Sequence, residues 1–511
     1  MSRRLLKSTV GVGAMTVLSR LLGLVREVVF ATVFGATAGM DAFLVAFKIP
    51  NFMRRLFAEG AFAQAFVPIF AAQYTDDNPQ QLRQTVQYVA GTLALILFVV
   101  AVIGMLTSAV WITVFAPGFV HDPAKFSLAQ HMLRITFPYL FFISLTALAG
   151  GVLNTFSRFL VPAFTPVLLN VSIIALVWWV APHLQHPVVA AAWGVLLAGV
   201  VQLLFQLPFL YRIGMLVWPK WGWHQPVVKR LIKLMVPVLF GASVAQISLL
   251  LDTIFASFLP TGSVSWLYYS DRLMQFPLGV FGVALSTVVL PVLAKRHSLK
   301  DQAAYNQSLD WALRLVVLLG VPAAVGLAVL SGPLVATLFG YHRFNAFDVT
   351  MSQHSLVAFA AGLLFFIAIK VLVSAFYARH NMKTPVKIAV VAMFTNLVFN
   401  AILIVPLAHV GLALATSIAA CINVVLLVWA LLCSKIYQPI CVWWRIGFAV
   451  ILSTVLMGLM LFYCSPSLTH WLAWSAFTRV LHLVGLIVGA VLIYCAVLIC
   501  AGLRRRHLVS S

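Results

Sequence analysis

Charge is what this sequence has least of. Asp, Glu, Lys and Arg make up 9% of its 511 residues, and 11 of these side chains are acidic against 33 basic. A soluble globular domain carries about 25% charged residues, so that class is excluded. The apolar share is 63%, which also excludes a disordered or collagen-like chain. Cysteine is scarce too. The six residues (Cys421, Cys433, Cys441, Cys464, Cys495 and Cys500) form no Cys-x-x-Cys pair and read as apolar filler in a membrane. No Gly-x-x-x-x-Gly-Lys-Ser/Thr loop is present, which excludes a P-loop ATP motor within this chain. There is no His-Glu-x-x-His, the histidines are scattered, and no nucleophile–base pair emerges, so neither a metal centre nor an enzyme is expected.

What is present is a series of long apolar runs. A membrane helix needs about 20 largely apolar residues. Fourteen stretches qualify: 8–33, 38–74 (interrupted), 84–115, 128–154, 160–181, 187–210, 231–257, 264–293, 309–339, 350–377, 384–405, 409–433, 443–463 and 478–502. They are too long and continuous for barrel strands of about 10 residues, so an all-α polytopic membrane protein of 14 transmembrane helices is expected. The first run, Thr9–Ser19, meets Arg20 and Arg26 with no Ala-x-Ala site after it, and reads as an uncleaved span. With both termini cytoplasmic, 21 Lys and Arg fall on the inner side and 3 (Lys125, Arg343 and Arg479) on the other. That bias fits the positive-inside rule. It also explains the net charge of +22 as topology signal and attraction to anionic lipid, leaving nucleic acid no role.

The chain resembles itself at a shift of about 222–223 residues. Pro68 matches Pro291, Gly39 matches Gly262, Phe43 matches Trp266, Pro162 matches Pro385, and Val188–Ala192 matches Val410–Leu414. The shift spans six helices, so the halves share one orientation, which is the logic of parallel transporter repeats. The expected organisation is an N-terminal lobe (1–215, helices 1–6), a C-terminal lobe (216–437, helices 7–12) and an extra pair (438–511, helices 13 and 14).

Charges within the spans are expensive, at roughly 2.5–3.5 kcal/mol for a central one on insertion scales. Arg134 and Arg314 lie near helix ends, where they can snorkel to the headgroups. Lys370 is a further basic residue within a span. The remaining charges cluster. Asp41, Lys48, Arg55 and Glu59 form one stripe if the helix is continuous, and Pro50 is expected to break that continuity, with Gly60 following Glu59. Span 1 adds Arg20, Arg26 and Glu27, and span 8 adds Asp271 and Arg272. With Arg54, the cluster holds six bases and four acids, and five of the six bases are Arg. A cationic surplus rich in Arg suits a phosphate-bearing substrate in a water-filled cavity. Internal ion pairing is the alternative.

The stretch Asp41-Ala-Phe-Leu-Val-Ala-Phe-Lys-Ile-Pro-Asn-Phe-Met-Arg-Arg-Leu-Phe-Ala-Glu-Gly-Ala-Phe-Ala-Gln-Ala-Phe-Val-Pro68 resembles the signature of the MurJ (MviN-type) lipid II flippases. Ser19–Arg26, Ile254–Phe258, Ser265–Arg272 and Lys383–Ile388 match as well, and the resemblance runs over essentially the whole chain. The broader fold is that of the multidrug/oligosaccharidyl-lipid/polysaccharide exporters. The resemblance implies that lipid II, an undecaprenyl-pyrophosphate-linked disaccharide-pentapeptide, is carried from the inner to the outer leaflet of the bacterial cytoplasmic membrane by alternating access. It assigns Arg26, Arg54, Arg55 and Arg272 to the pyrophosphate and sugar. It leaves Arg20, Glu27, Asp41, Lys48, Glu59, Asp271 and Lys370 to organise or gate the site. Helices 13 and 14 would hold the polyprenyl tail.

Two departures stand out: Glu27 where relatives often have Asp, and Gln275 where some have Glu. Asp252 resembles a position that contributes to a sodium site in some relatives, and Thr395, Asn396 and Asn400 offer oxygens; inter-helix hydrogen bonding is the alternative for these. No other cofactor is implied, and the drive is a sodium gradient or the membrane potential. The bilayer and lipid II are the expected partners, with cell-wall synthesis and division proteins as candidate associates. The competing readings are an exporter of another polyprenyl-linked glycan or of a drug, and a non-transporting cell-wall scaffold. A scaffold has no need of buried Arg.

Overall fold

The computed structural model describes residues 3–55, 66, 69–70, 79–439 and 443–501. Glu59, Gly60 and Pro68 lie outside the described residues. Every regular element among those described is helical. In chain order the helices are α1 (Arg3–Phe34), α2 (Ala38–Arg54), α3 (Pro79–Leu106), α4 (Ser108–Phe115), α5 (Pro123–Thr136), α6 (Tyr139–Thr155), α7 (Leu160–Trp179), α8 (Val189–Arg212) and α9 (Pro226–Ser257). They continue with α10 (Ser263–Pro277), α11 (Ala284–Ser298), α12 (Gln302–Val329), α13 (Ser331–Leu338), α14 (Ala346–Tyr377), α15 (Lys383–Cys433), α16 (Trp443–Cys464), α17 (Leu468–Ala473) and α18 (Ala476–Cys500).

Ten of the described helical segments are long and apolar enough to cross a membrane. Their outward faces are apolar as well: Val405, Phe462, Ile499 and Trp444 are all largely exposed. Lipid, unlike water, tolerates such a surface, and it demands that the backbone satisfy its own hydrogen bonds, which helices do.

α15 is a special case. Its 51 residues would run to about 77 Å as one helix, against a hydrocarbon core of about 30 Å. The chain instead reverses at Ala408, whose φ is 47° and ψ −128°. A Cβ on Gly411 would meet the Leu403 carbonyl oxygen at 2.3 Å, so the two halves of the hairpin approach too closely there for any side chain. Pro406 stands just before the reversal.

The chain forms two compact units, Met1–Gly262 and Ser263–Ser511. In the first, α7 packs between α1 and α8, α6 lies against α8, and α2 against α5. The buried face of α8 is small (Ala190, Ala191, Ala192, Gly194, Ala198 and Gly199), which brings Gly194 against the Ile173 backbone. In the second, α14 is the hub, packed on α10, α12 and α15, while α16 pairs with α18 and touches α12. Buried Arg479 fastens α18. Its guanidinium donates to the carbonyls of Ala336, Gly340, Leu472 and Trp474 and lies 5.1 Å from the Tyr341 ring centroid.

Each unit carries the same local device. Asp122 caps α5 and Asn345 caps α14, positions 223 apart. The third residue of each capped helix is a buried charge that reaches a neighbouring helix or loop. Lys125 bonds Asp41 of α2, and Asp348 accepts the indole N–H of Trp266 on α10 at 2.9 Å.

Candidate functional site

In the first unit the site is built on α1 and α2. Thr37 caps α2, its side chain accepting from the Met40 backbone, and Asp41 follows in the first turn, where the helix dipole favours an anion. Asp41 is fully buried. Its Oδ2 accepts from Lys125 Nζ at 3.0 Å and from the Gly262 backbone N–H at 2.8 Å. Lys125 is buried too, with Nζ 4.4 Å from the Phe119 ring centroid. This lysine is absent from the site expected from sequence. Its signal was its isolation, since it is one of only three bases on the side that the charge bias otherwise clears.

α2 runs as helix straight through Pro50, contrary to the break expected there. Proline deprives the carbonyl four residues earlier of its N–H donor. That carbonyl belongs to Ala46, and the Thr136 hydroxyl of α5 donates to it at 3.3 Å. A side chain from a neighbouring helix thus replaces the missing backbone bond, as membrane-buried proline requires.

Further along α2, the Lys48 ammonium donates to the Thr253 hydroxyl of α9. Arg54 donates through Nε and Nη2 to Asn51 Oδ1, at 3.0 and 2.8 Å, and Arg55 is half-buried just after it. On α1, Arg20 is exposed, whereas Arg26 and Glu27 are buried. Arg26 Nη2 contacts Glu27 Oε1 at 2.5 Å, and its guanidinium sits 5.7 Å from the Phe30 ring centroid. Asp252 is half-buried on α9, next to Thr253. Gly118 is fixed by a close approach in this unit: its N–H donates to Ser257 Oγ at 3.0 Å, and a Cβ there would stand 2.2 Å from the Ser257 carbonyl oxygen.

The second unit holds Asp271 and Arg272, both half-buried on α10. The Gln275 amide donates to Asp271 Oδ2, and its carbonyl accepts from Arg272 Nη1 at 3.5 Å. A glutamate could accept from Arg272 but could not donate to Asp271. Gln275 therefore serves as a neutral bridge between the two charges. Arg272 also lies 4.8 Å from the Tyr268 ring centroid. α10 then passes through a π-helical turn at Leu278–Val283 before α11. Such turns are rare and frequent at functional sites. A Cβ on Gly282 would meet the exposed Lys370 side chain of α14 at 3.6 Å, so the lysine lies along this turn.

On α15, Asn396 and Asn400 are buried and share a face. Asn400 Nδ2 donates to Asn396 Oδ1 at 3.1 Å, and Asn396 Nδ2 donates across the hairpin to Thr416 Oγ1 at 3.2 Å. The Thr395 hydroxyl bonds the Val391 carbonyl of its own helix. These contacts tie the two halves of α15 together, through Asn396 and Thr416, and stitch its first half along one face, through Asn400 and Asn396. Asn396→Leu is expected to lower stability by about 0.6–1.7 kcal/mol, the range of such bonds in lipid. Thermal unfolding in detergent checks this, and an unchanged midpoint would remove the bond from the account.

The family model described as Lipid II flippase MurJ matches residues 30–482. The chain is 46% identical to a probable lipid II flippase MurJ of Vibrio cholerae, covering 100% of this chain and 98% of that one. It is 44% identical to the lipid II flippase MurJ of Burkholderia cenocepacia, covering 92% of this chain and 90% of the relative. Among solved structures it resembles a lipid II flippase MurJ in an inward closed conformation, with a TM-score of 0.80 and 26% identity over 95% of this chain and 97% of that one. An inward-facing multidrug resistance transporter of the MATE family and MOP superfamily shares the fold, with a TM-score of 0.65 and 15% identity over 83% of this chain and 97% of that one. The charges on α1, α2 and α10 therefore stand in a multi-pass membrane protein that belongs to the MurJ lipid II flippase family.

Proposed function

We propose that this chain carries lipid II from the inner to the outer leaflet of the cytoplasmic membrane. The observation that carries the reading is family membership over the whole chain, on a frame that sets Arg20, Arg26, Lys48, Arg54 and Arg55 along α1 and α2 against Glu27 and Asp41. The activity is transport rather than bond chemistry. Arg26, Arg54, Arg55 and Arg272 engage the pyrophosphate and its sugar, since guanidinium forks match phosphate oxygens. Arg20, Glu27, Asp41, Lys48, Glu59, Asp271 and Lys370 organise or gate the site. Fourteen spans with both termini cytoplasmic, divided into two six-helix lobes that alternate access, complete the reading, and the last two spans take the polyprenyl tail.

The test depletes the native lipid II flippase of a Gram-negative host and supplies this chain, reading lipid II accessibility at the outer leaflet. Restoration supports flipping. Failure by a well-inserted chain would shift the reading to an exporter of another polyprenyl-linked glycan.

The drive follows from charge. A pyrophosphate moving outward travels down an inside-negative potential, which is worth about 2.3 kcal/mol per charge per 100 mV. Collapsing the potential in proteoliposomes is expected to slow flipping at least tenfold. A rate indifferent to potential and to every ion gradient would refute this drive.

A further inference from the structure

Arg272 can meet a substrate only if α10 keeps one rotation about its axis. Membrane helices pack without a hydrophobic force between them, so apolar contacts discriminate weakly among rotations. Hydrogen bonds are directional and do discriminate. Two of them tie α10 to α14. The Trp266 indole N–H donates to Asp348 Oδ1 at 2.9 Å. One turn on, the Ser270 hydroxyl lies 2.7 Å from the Ser352 carbonyl oxygen of α14 and 2.8 Å from the Trp266 carbonyl oxygen of its own helix, and it shares its proton between them. Trp266 and Ser270 are four residues apart, as are Asp348 and Ser352, so the two rungs run along facing stripes. All four residues are buried.

The partners are themselves held. Asp348 stands in a capping box: Oδ2 accepts from the Asn345 N–H at 3.2 Å, and its own N–H donates to Asn345 Oδ1 at 3.0 Å. The Trp266 ring meets the His409 ring of α15 at 5.0 Å between centroids and the Phe347 ring at 5.6 Å. His409 Nε2 lies 3.1 Å from the Met351 carbonyl oxygen, which fixes the imidazole on α14.

Helix geometry carries this restraint to the arginine. Arg272 lies two residues past Ser270, about 200° around the axis, so burying Ser270 turns Arg272 to the opposite side. Half-buried Tyr268 and exposed Gln275 and Phe276 share that side, whereas Tyr269, Leu273 and Met274 are buried. After Arg272 the chain enters the π-helical turn, where the α-helical ladder of α10 ends. The first unit uses the corresponding position in the same way. Lys125, 223 residues before Asp348, ties down α2, which bears Arg54.

We propose that Trp266, Ser270 and Asp348 are positioning residues for Arg272, locking the rotation of α10 that presents its guanidinium to the pyrophosphate. The inference rests on the assignment of Arg272 to the substrate made above. The three residues act through α10 and not by contact with the lipid.

Trp266→Phe/Ser270→Ala removes both donors while keeping an aromatic ring, Asp348 and Arg272. Two readouts on the purified full-length chain test it. The first is rotation, read by maleimide labelling of Leu273→Cys or Met274→Cys and located by peptide mass, so that the native cysteines do not count. Turning α10 uncovers position 274 in one sense and position 273 in the other. One of the two is expected to label at least about tenfold faster once the donors are gone. The second readout is the ratio in which undecaprenyl pyrophosphate is retained over undecaprenol in native mass spectrometry. A general loss of structure lowers both and leaves the ratio, whereas a misplaced Arg272 lowers the pyrophosphate alone. The ratio is expected to fall about tenfold in the donor variant and in Arg272→Ala, and no further when the two are combined, because groups acting through one another are not additive.

Unchanged protection at both reporters overturns the proposal at the two bonds. A moved α10 with an unchanged ratio overturns it at Arg272, and takes that residue out of the proposed substrate site. Falls that multiply on combination make the bonds merely structural and also overturn it. A wild-type chain with no preference for the pyrophosphate sinks the substrate reading and this proposal together, whatever the reporters show. Should the double variant fail to insert, Ser270→Ala with the same reporters and lipids decides.

Discussion

Replacing Arg272 by Ala is expected to reduce flipping at least about thirtyfold while the protein still inserts. Removing one partner of a desolvated charged contact costs about 2–5 kcal/mol, and each 1.4 kcal/mol is a factor of ten. Arg272 lies against the Tyr268 ring and at the long limit of a bond to Gln275. A phosphate oxygen would be a stronger partner than either. Arg272→Lys keeps the charge but loses the planar fork, and an intermediate rate is expected. The same comparison at Arg26 is expected to be harsher, because its loss also removes the cation paired with buried Glu27. The measurement is lipid II accessibility at the outer leaflet of flippase-depleted cells, with insertion followed in parallel. Wild-type rates from a normally inserted Arg272→Ala chain would take this residue out of the site.

Asp41→Leu is expected to destabilise the chain by about 3–5 kcal/mol, because it strands the Lys125 ammonium in a buried, apolar setting. Lys125→Met does the reciprocal damage to Asp41. The double variant removes both charges and is expected to recover most of the loss. It does not return to the starting value, since the Gly262 N–H also loses its acceptor, at a cost of about 1–3 kcal/mol. Detergent melting of the four proteins gives the coupling directly, and additive losses would show that the pair is not a unit. Flipping by the double variant then separates two roles for Asp41. Restored stability with restored flipping makes the pair a structural staple, whereas restored stability without flipping places Asp41 in the gate.

The family resemblance rested on the motif from Asp41 to Pro68 and on short stretches such as Ser265–Arg272, and the full-length relatives bear it out. The charges on α1, α2 and α10 stood out in the sequence, because an Arg or Asp inside an apolar run is costly. Their partners did not. Lys125 lies 84 residues from Asp41, and Thr253 lies 205 from Lys48. Asp348 was passed over because it stands at the edge of an apolar run, where a solvated charge is the ordinary expectation. Pro50 misled for a related reason. Its local effect is to break a helix, and only the Thr136 hydroxyl on another helix cancels that effect.

The helical class of this protein was settled by composition alone. Long apolar runs with few charges have one economical solution in lipid, the helix, because it closes every backbone hydrogen bond within its own segment. That argument needs no knowledge of neighbours, so a linear sequence carries it. Which charge meets which is a different kind of fact. It depends on helix faces and depths that are set when α5 packs on α2 and when α10 packs on α14. The assignment of Asp41 to Lys125, the passage of α2 through Pro50 and the pinning of Trp266 by Asp348 therefore belong to the tertiary structure.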